Sequence, residues 1–150
     1  MSAFDGLVEI VRVYAEFNGK PVTSIGDEVF YSTVTWSGNA TIKELYLPKT
    51  IERMPKVKLC KNLEVLSMPG VTNVALSEKE FARDCGKLRT VIVGDAFTCI
   101  DQVFYNANTT NQDLTIYTTS TSDTTISIGS NNNDMWNGKI VYYSEGVEGC

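Results

Sequence analysis

Two carboxylate pairs, Asp27-Glu28 and Glu78-Lys79-Glu80, are the residues best equipped for acid–base chemistry. Glycoside hydrolysis needs two such groups facing each other across a cleft, and neighbours on one loop do not do so. Both pairs therefore read as solvated loops. The chain has no histidine, which removes the commonest general base and weakens the case for a zinc site or a serine-type triad. Asn131-Asn132-Asn133-Asp134, followed by Gly138, offers oxygen ligands of the kind calcium takes. It lacks the alternating spacing of a calcium loop, Tyr142 stands where the closing Glu would fall, and a plain turn fits it better. Gly-rich phosphate loops are absent. These residues point to a protein that is not an enzyme and that uses neither cofactor nor metal.

Binding chemistry is narrowed by charge. Thirteen basic against eighteen acidic residues leave a net charge of −5, which argues against a phosphate-binding surface and so against nucleic acid. Arg53, Lys56, Lys58 and Lys61 form a local basic cluster, read as a solvated face before a contact patch for an acidic partner. Asn39-Ala40-Thr41 and Asn108-Thr109-Thr110 fit the glycosylation acceptor pattern, which marks a surface loop if the chain is secreted by a eukaryote. No apolar run approaches the length of a membrane span, so membrane insertion is not expected. Met1-Ser2-Ala3-Phe4-Asp5-Gly6 is not a signal peptide; the chain reads as cytosolic or as shorn of its secretion signal. The four cysteines lack CxxC spacing and leave the redox compartment open.

The elements that must position any site announce themselves by repetition. Cys60-Lys61-Asn62-Leu63-Glu64-Val65-Leu66-Ser67-Met68-Pro69 places apolar residues at a strand-like alternation and ends on a proline, which has no N–H to extend a ladder. The phrase returns as Ile42-Lys43-Glu44-Leu45-Tyr46-Leu47-Pro48 and as Cys85-Gly86-Lys87-Leu88-Arg89-Thr90-Val91-Ile92-Val93. Clipped copies follow at Leu114-Thr115-Ile116 and Ile140-Val141-Tyr142. From Leu45 to Leu66, Val91, Leu114 and Ile140 the steps are 21, 25, 23 and 26 residues. A period of roughly 20–29 residues with this pattern is that of a leucine-rich repeat. Cys60 and Cys85, each three residues ahead of a repeat Leu, read as small buried hydrophobes.

A second phrase alternates with the first. Val22-Thr23-Ser24-Ile25-Gly26-Asp27-Glu28-Val29-Phe30 is echoed by Phe97-Thr98-Cys99-Ile100-Asp101-Gln102-Val103-Phe104, and more faintly at Ile51–Met54 and Val71–Val74. It reads as an extended piece, a tight turn and a short helical turn that carries the Phe inward, with Val57 taking that place in the second repeat. Together the two phrases, Asn18–Phe30 and Cys-x-x-Leu-x-x-Leu-x-Met-Pro69, resemble the BspA-like leucine-rich repeats over roughly residues 18–120. The resemblance implies a cell-surface or secreted adhesion role. The expected fold is an α/β-type solenoid: a short, right-handed leucine-rich-repeat solenoid of four to five repeats, mostly β and coil, with a parallel β-sheet on its concave face.

One domain is expected over 1–150. Residues 1–21 form an N-terminal cap with a strand at Leu7–Tyr14 and a turn at Asn18-Gly19; repeats span 22–120; a C-terminal cap and tail occupy 121–150. Thr124–Gly129 reads as a strand or an irregular coil, and Trp136–Ser144 as a capping strand. Ser32–Ala40 is an insertion, and its Trp36 suits packing over the first repeat better than recognition.

Residues between the core positions of each strand point to the opposite face. One column holds Glu44, Val65, Thr90, Asp113 and Lys139; the next holds Tyr46, Ser67, Ile92, Thr115 and Val141; a third holds Pro48, Pro69, Gly94, Tyr117 and Tyr143. Exposed Tyr46, Val65, Ile92, Tyr117 and Tyr143 would make a contact surface for a protein or glycan ligand, because aromatic residues are enriched at interfaces. The competing reading is that β-branched and aromatic residues simply suit strands, and the chain is then a structural spacer or tail module presenting another domain.

Overall fold

The computed structural model describes residues 8–72 and 82–94, and the strand backbones at Thr98–Cys99, Thr115–Thr118 and Ser127–Ile128. The proposed cap at Trp136–Ser144, Tyr143, the Glu78–Glu80 pair, the Asn131–Asp134 turn and the Asn108 acceptor site lie outside the described residues. The described residues form eleven short strands: β1 (Ile10–Arg12), β2 (Glu16–Phe17), β3 (Lys20–Pro21), β4 (Tyr31–Ser32), β5 (Ser37–Gly38), β6 (Glu44–Tyr46), β7 (Val65–Met68), β8 (Thr90–Val93), β9 (Thr98–Cys99), β10 (Thr115–Thr118) and β11 (Ser127–Ile128). No helix occurs among the described residues. The expected helical turn before Phe30 is a single hydrogen-bonded turn, with Val29 N–H donating to the Gly26 carbonyl at 3.2 Å.

Five strands form one sheet in the order β1-β6-β7-β8-β10, every neighbouring pair parallel. Parallel neighbours need a crossover to bring the chain back to the same edge, and the recurring phrase supplies one strand per return. Glu44 pairs with Val65, Val65 with Thr90 and Thr90 with Thr115, which are steps of 21, 25 and 25 residues. The first two match the spacing read from the sequence. The last corrects it: Val91 stands beside Ile116, not Leu114. A second parallel pair joins β11 to β9 through Ser127↔Thr98 and Ile128↔Cys99, so part of the Thr- and Ser-rich stretch is strand.

The core follows from alternation. Leu45, Leu66 and Val91 are fully buried and stand in register across three strands, with Val11 of β1 beside Leu45. Leu63 and Leu88, Met68 and Val93, and the second-phrase residues Phe30, Ile51, Met54, Val57 and Val71 belong to the same apolar cluster.

Cys60 and Cys85 bind one turn of chain to the next. The Cys60 thiol donates to the Phe30 carbonyl at 3.4 Å, and the Cys85 thiol donates to the Val57 carbonyl at 3.0 Å. Phe30 and Val57 thus hold equivalent positions, as the sequence reading had them. In the first phrase the cysteine is replaced by Asn39, whose side-chain oxygen accepts from the Thr41 and Ile42 N–H groups at 2.9 and 2.8 Å. That acceptor-like Asn is therefore a part-buried turn cap.

Both thiols are free and buried. Burial pushes Cys60 up to about 12 from an ordinary 9.0 and holds Cys85 well above it. A thiol that ionises more readily unfolded than folded adds stability that is complete below about pH 9 and is lost as pH rises toward 12. The urea midpoint is expected to fall across that window, and to fall less steeply in the Cys60→Ala, Cys85→Ala double variant. Equal slopes would show that the thiols do not couple to folding.

Candidate functional site

The register sets two rows of positions between the core positions of the strands, and in β1, β6, β7 and β8 these lie on the sheet face opposite the core. One runs Ile10, Glu44, Val65, Thr90, Thr115; the other runs Arg12, Tyr46, Ser67, Ile92, Tyr117. Tyr46, Ile92 and Tyr117 are thereby brought into a single row, with Val65 in the row beside it. Tyr117 moves two residues from its expected column, because β10 pairs through Thr115↔Thr90.

Exposure corrects the reading further. Ile92 was expected to be open and is only 8 % exposed; Ser67 belongs to the same face and is fully buried. Strands lie about 4.8 Å apart, so a small side chain between the larger Tyr46 and Ile92 sits below the surface they make. The Ser67 hydroxyl has no hydrogen-bond partner, and an unsatisfied buried hydroxyl costs about 1–3 kcal/mol. Ser67→Ala is accordingly expected to raise stability by up to about 1 kcal/mol, read as a higher urea midpoint at unchanged slope. A clear loss would show that the hydroxyl holds something in place.

Among the described side chains, the open part of the face lies toward β1. Tyr46 and Val65 are half-buried, as are Glu44 and Thr90, while Arg12 is exposed. The Arg12 guanidinium lies 4.0 Å from the centre of the Tyr46 ring, a cation–π geometry. The Tyr46 hydroxyl donates to Glu44 Oε2 at 2.7 Å, and this bond holds its pKa above the usual phenol value. Arg12, Tyr46 and Glu44 thus form one prearranged cluster offering a cation, a ring and a carboxylate. The sequence alone does not single out Arg12; the alternation Ile10-Val11-Arg12 places it only once β1 is aligned with β6.

Charges alternate across the strand starts. Lys43 Nζ meets Glu9 Oε1 at 2.9 Å and Arg89 Nε meets Glu64 Oε2 at 3.1 Å. The carboxylate of Glu9 raises the Lys43 pKa first by hydrogen bonding and then by its charge. Exposed pairs of this kind add little stability. Within the basic cluster, Arg53 pairs with Asp27 at 3.7 Å, and Lys58 lies 5.9 Å from the centre of the Tyr31 ring.

The insertion becomes the hairpin β4–β5, with residues 33–36 at its tip. Trp36 does not pack over the first repeat: it is 73 % exposed and Val34 is 84 % exposed. The tip is nonetheless pinned. Thr33 donates to the Glu28 carboxylate, Thr35 N–H donates to Ser32 Oγ at 3.2 Å, and the Thr35 and Ser37 hydroxyls lie 2.7 Å apart. Gly38 lets the base of the hairpin pass against the backbone of Lys58–Cys60, where a Cβ would not fit.

Among the described residues no three His, Cys, Asp or Glu side chains gather as metal ligands, and no helix is long and apolar enough to cross a membrane. No protein family, curated protein or solved structure matches the chain.

Proposed function

We propose that this chain is a short, right-handed leucine-rich-repeat solenoid of the BspA-like kind. It binds a protein or glycan without catalysis, at a cell surface or outside the cell, on the sheet face opposite its core. The observation that supports this most is the register. It aligns Arg12, Tyr46, Ile92 and Tyr117 in one row with Val65 beside them, on hydrogen-bonded strands of one parallel sheet. Groups held in place before binding lose little ordering entropy when a ligand arrives. The accessible focus is the Arg12–Tyr46–Glu44 cluster with Val65 as its apolar neighbour, a combination that suits a neutral or mixed-charge surface.

The test begins with a glycan panel and with purified candidate proteins on the immobilised chain. Tyr46→Ala combined with Val65→Asp is then expected to lose at least tenfold in affinity for the captured ligand, about 1.4 kcal/mol. The melting transition checks that the double variant is folded. Undiminished binding would move the site off this face, and absence of any ligand would favour the spacer module.

A further inference from the structure

Every exposed large apolar side chain among the described residues lies between Val8 and Trp36. Two features in that part of the chain are complementary. One is the pinned tip of β4–β5, which holds Val34 and Trp36 in solvent. Trp36 sits at φ +53°, a left-handed conformation that bulky residues rarely adopt. No charged residue occurs from Tyr31 to Thr41, so the tip can enter an apolar site without burying a charge. The other is an open groove of about 770 Å³, lined by Val13, Tyr14, Phe17, Lys20, Pro21 and Val22. Its backbone is fixed by the β2–β3 hairpin, whose Asn18-Gly19 turn has φ +50° and +74°, the geometry of a tight primed turn. The volume falls within the range of ligand pockets and is ample for an indole. Trp36 of the same chain is mostly in solvent, so its own groove does not hold it.

We propose that the occupant of the groove is the β4–β5 tip of a second copy of this chain. Charge agrees with this pairing: Lys20 lines the groove, and Glu28 stands at the base of the tip, where it holds Thr33. A docked tip brings the carboxylate of one copy toward the ammonium of the other. Reciprocal seating of two tips closes the pair as a two-fold dimer, the commonest arrangement of identical chains. It covers two indoles together with Tyr14 and Phe17 of both copies, roughly 1,000 Å² of surface. That is the low end for a specific complex, so the association is weak and depends on concentration.

Sedimentation velocity of the 150-residue chain, from micromolar to near-millimolar, tests the proposal. The expected result is a concentration-dependent rise from monomer toward dimer. Trp36→Ser and Phe17→Ser are each expected to weaken association at least tenfold, and Lys20→Glu to weaken it as well. All three side chains are exposed, and an unchanged melting transition shows that the fold survives. A monomer at every concentration overturns the proposal. So does an association that Trp36→Ser abolishes but Phe17→Ser leaves intact, because the groove is then not the receptor. A chain that stays monomeric while Trp36→Ser removes binding to a glycan also overturns it, and makes the tip a sugar platform.

Discussion

Leu66→Ala is expected to cost about 2–5 kcal/mol, enough to consume much of the stability of a domain this size. Leu66 is fully buried on β7, a strand with neighbours on both sides, and stands in register with Leu45 and Val91. Removing its branched end opens a cavity between two strands, and the turn of chain on either side cannot close the gap without shifting a whole strand. Denaturant unfolding measures the loss as a lower midpoint at unchanged slope. Tyr14→Ala, at a side chain 81 % exposed, is the control and should change little. A loss below about 1 kcal/mol at Leu66 would mean that the ladder is not the core of the domain.

Gly70→Ala and Gly94→Ala are expected to be as damaging, for the opposite reason. A Cβ on Gly70 would collide with the Lys49 carbonyl and would lie 2.8 Å from the Ile51 carbonyl oxygen; one on Gly94 would collide with the Pro69 carbonyl. Each glycine follows a strand of the main sheet, where successive turns of the chain pass backbone to backbone. Flexible side-chain ends move aside at small cost, but a carbonyl fixed in the neighbouring turn does not. The loss should reach about 3 kcal/mol, the upper end of ordinary overpacking. Gly26→Ala is the internal control, since its Cβ would meet only Val29 Cγ2 at 3.8 Å, an ordinary contact. It should be neutral or slightly stabilising, because alanine restricts the unfolded chain. Equal effects at Gly26 and Gly94 would rule out the close backbone stacking on which this expectation rests.

Together the two predictions separate what holds the sheet from what spaces it. Leu66 fills the interior, and the glycines set how near one turn of chain can lie to the next. The cysteines belong to both groups. Each fills space in the core, and each thiol bonds a carbonyl of the preceding turn. A larger apolar residue at Cys85 would therefore lose the bond and crowd the site at once.

Much of the interior was legible in the amino-acid order, because burial leaves a periodic trace. The alternation around Leu45, Leu66 and Val91 named the core face. The proline after Met68 marked a strand end, Asn18-Gly19 marked a turn, and the Cys-x-x-Leu spacing placed two thiols inside. These are local rules: a strand alternates its faces whatever lies beside it, and a proline lacks its donor in any setting. The role of Arg12 is not legible in the sequence, because it depends on which residue of β6 stands beside it, and alternation within β1 does not encode that.

The sequence by itself determined that Leu45, Leu66 and Val91 face the core, since alternation and side-chain chemistry are properties of one strand. Only the tertiary structure decided what that strand stands next to. Pairing placed Ile116 rather than Leu114 beside Val91, and so moved Tyr117 into the row of Tyr46 and Ile92. Side-chain height relative to its neighbours sank Ser67 and Ile92 below the surface that alternation alone assigns to solvent. Hydrogen bonds across the turn at residues 33–36 left Trp36 outside instead of folding it over the first repeat. The physical reason is common to all three: exposure and register are relations between strands, and spacing within one strand does not encode them.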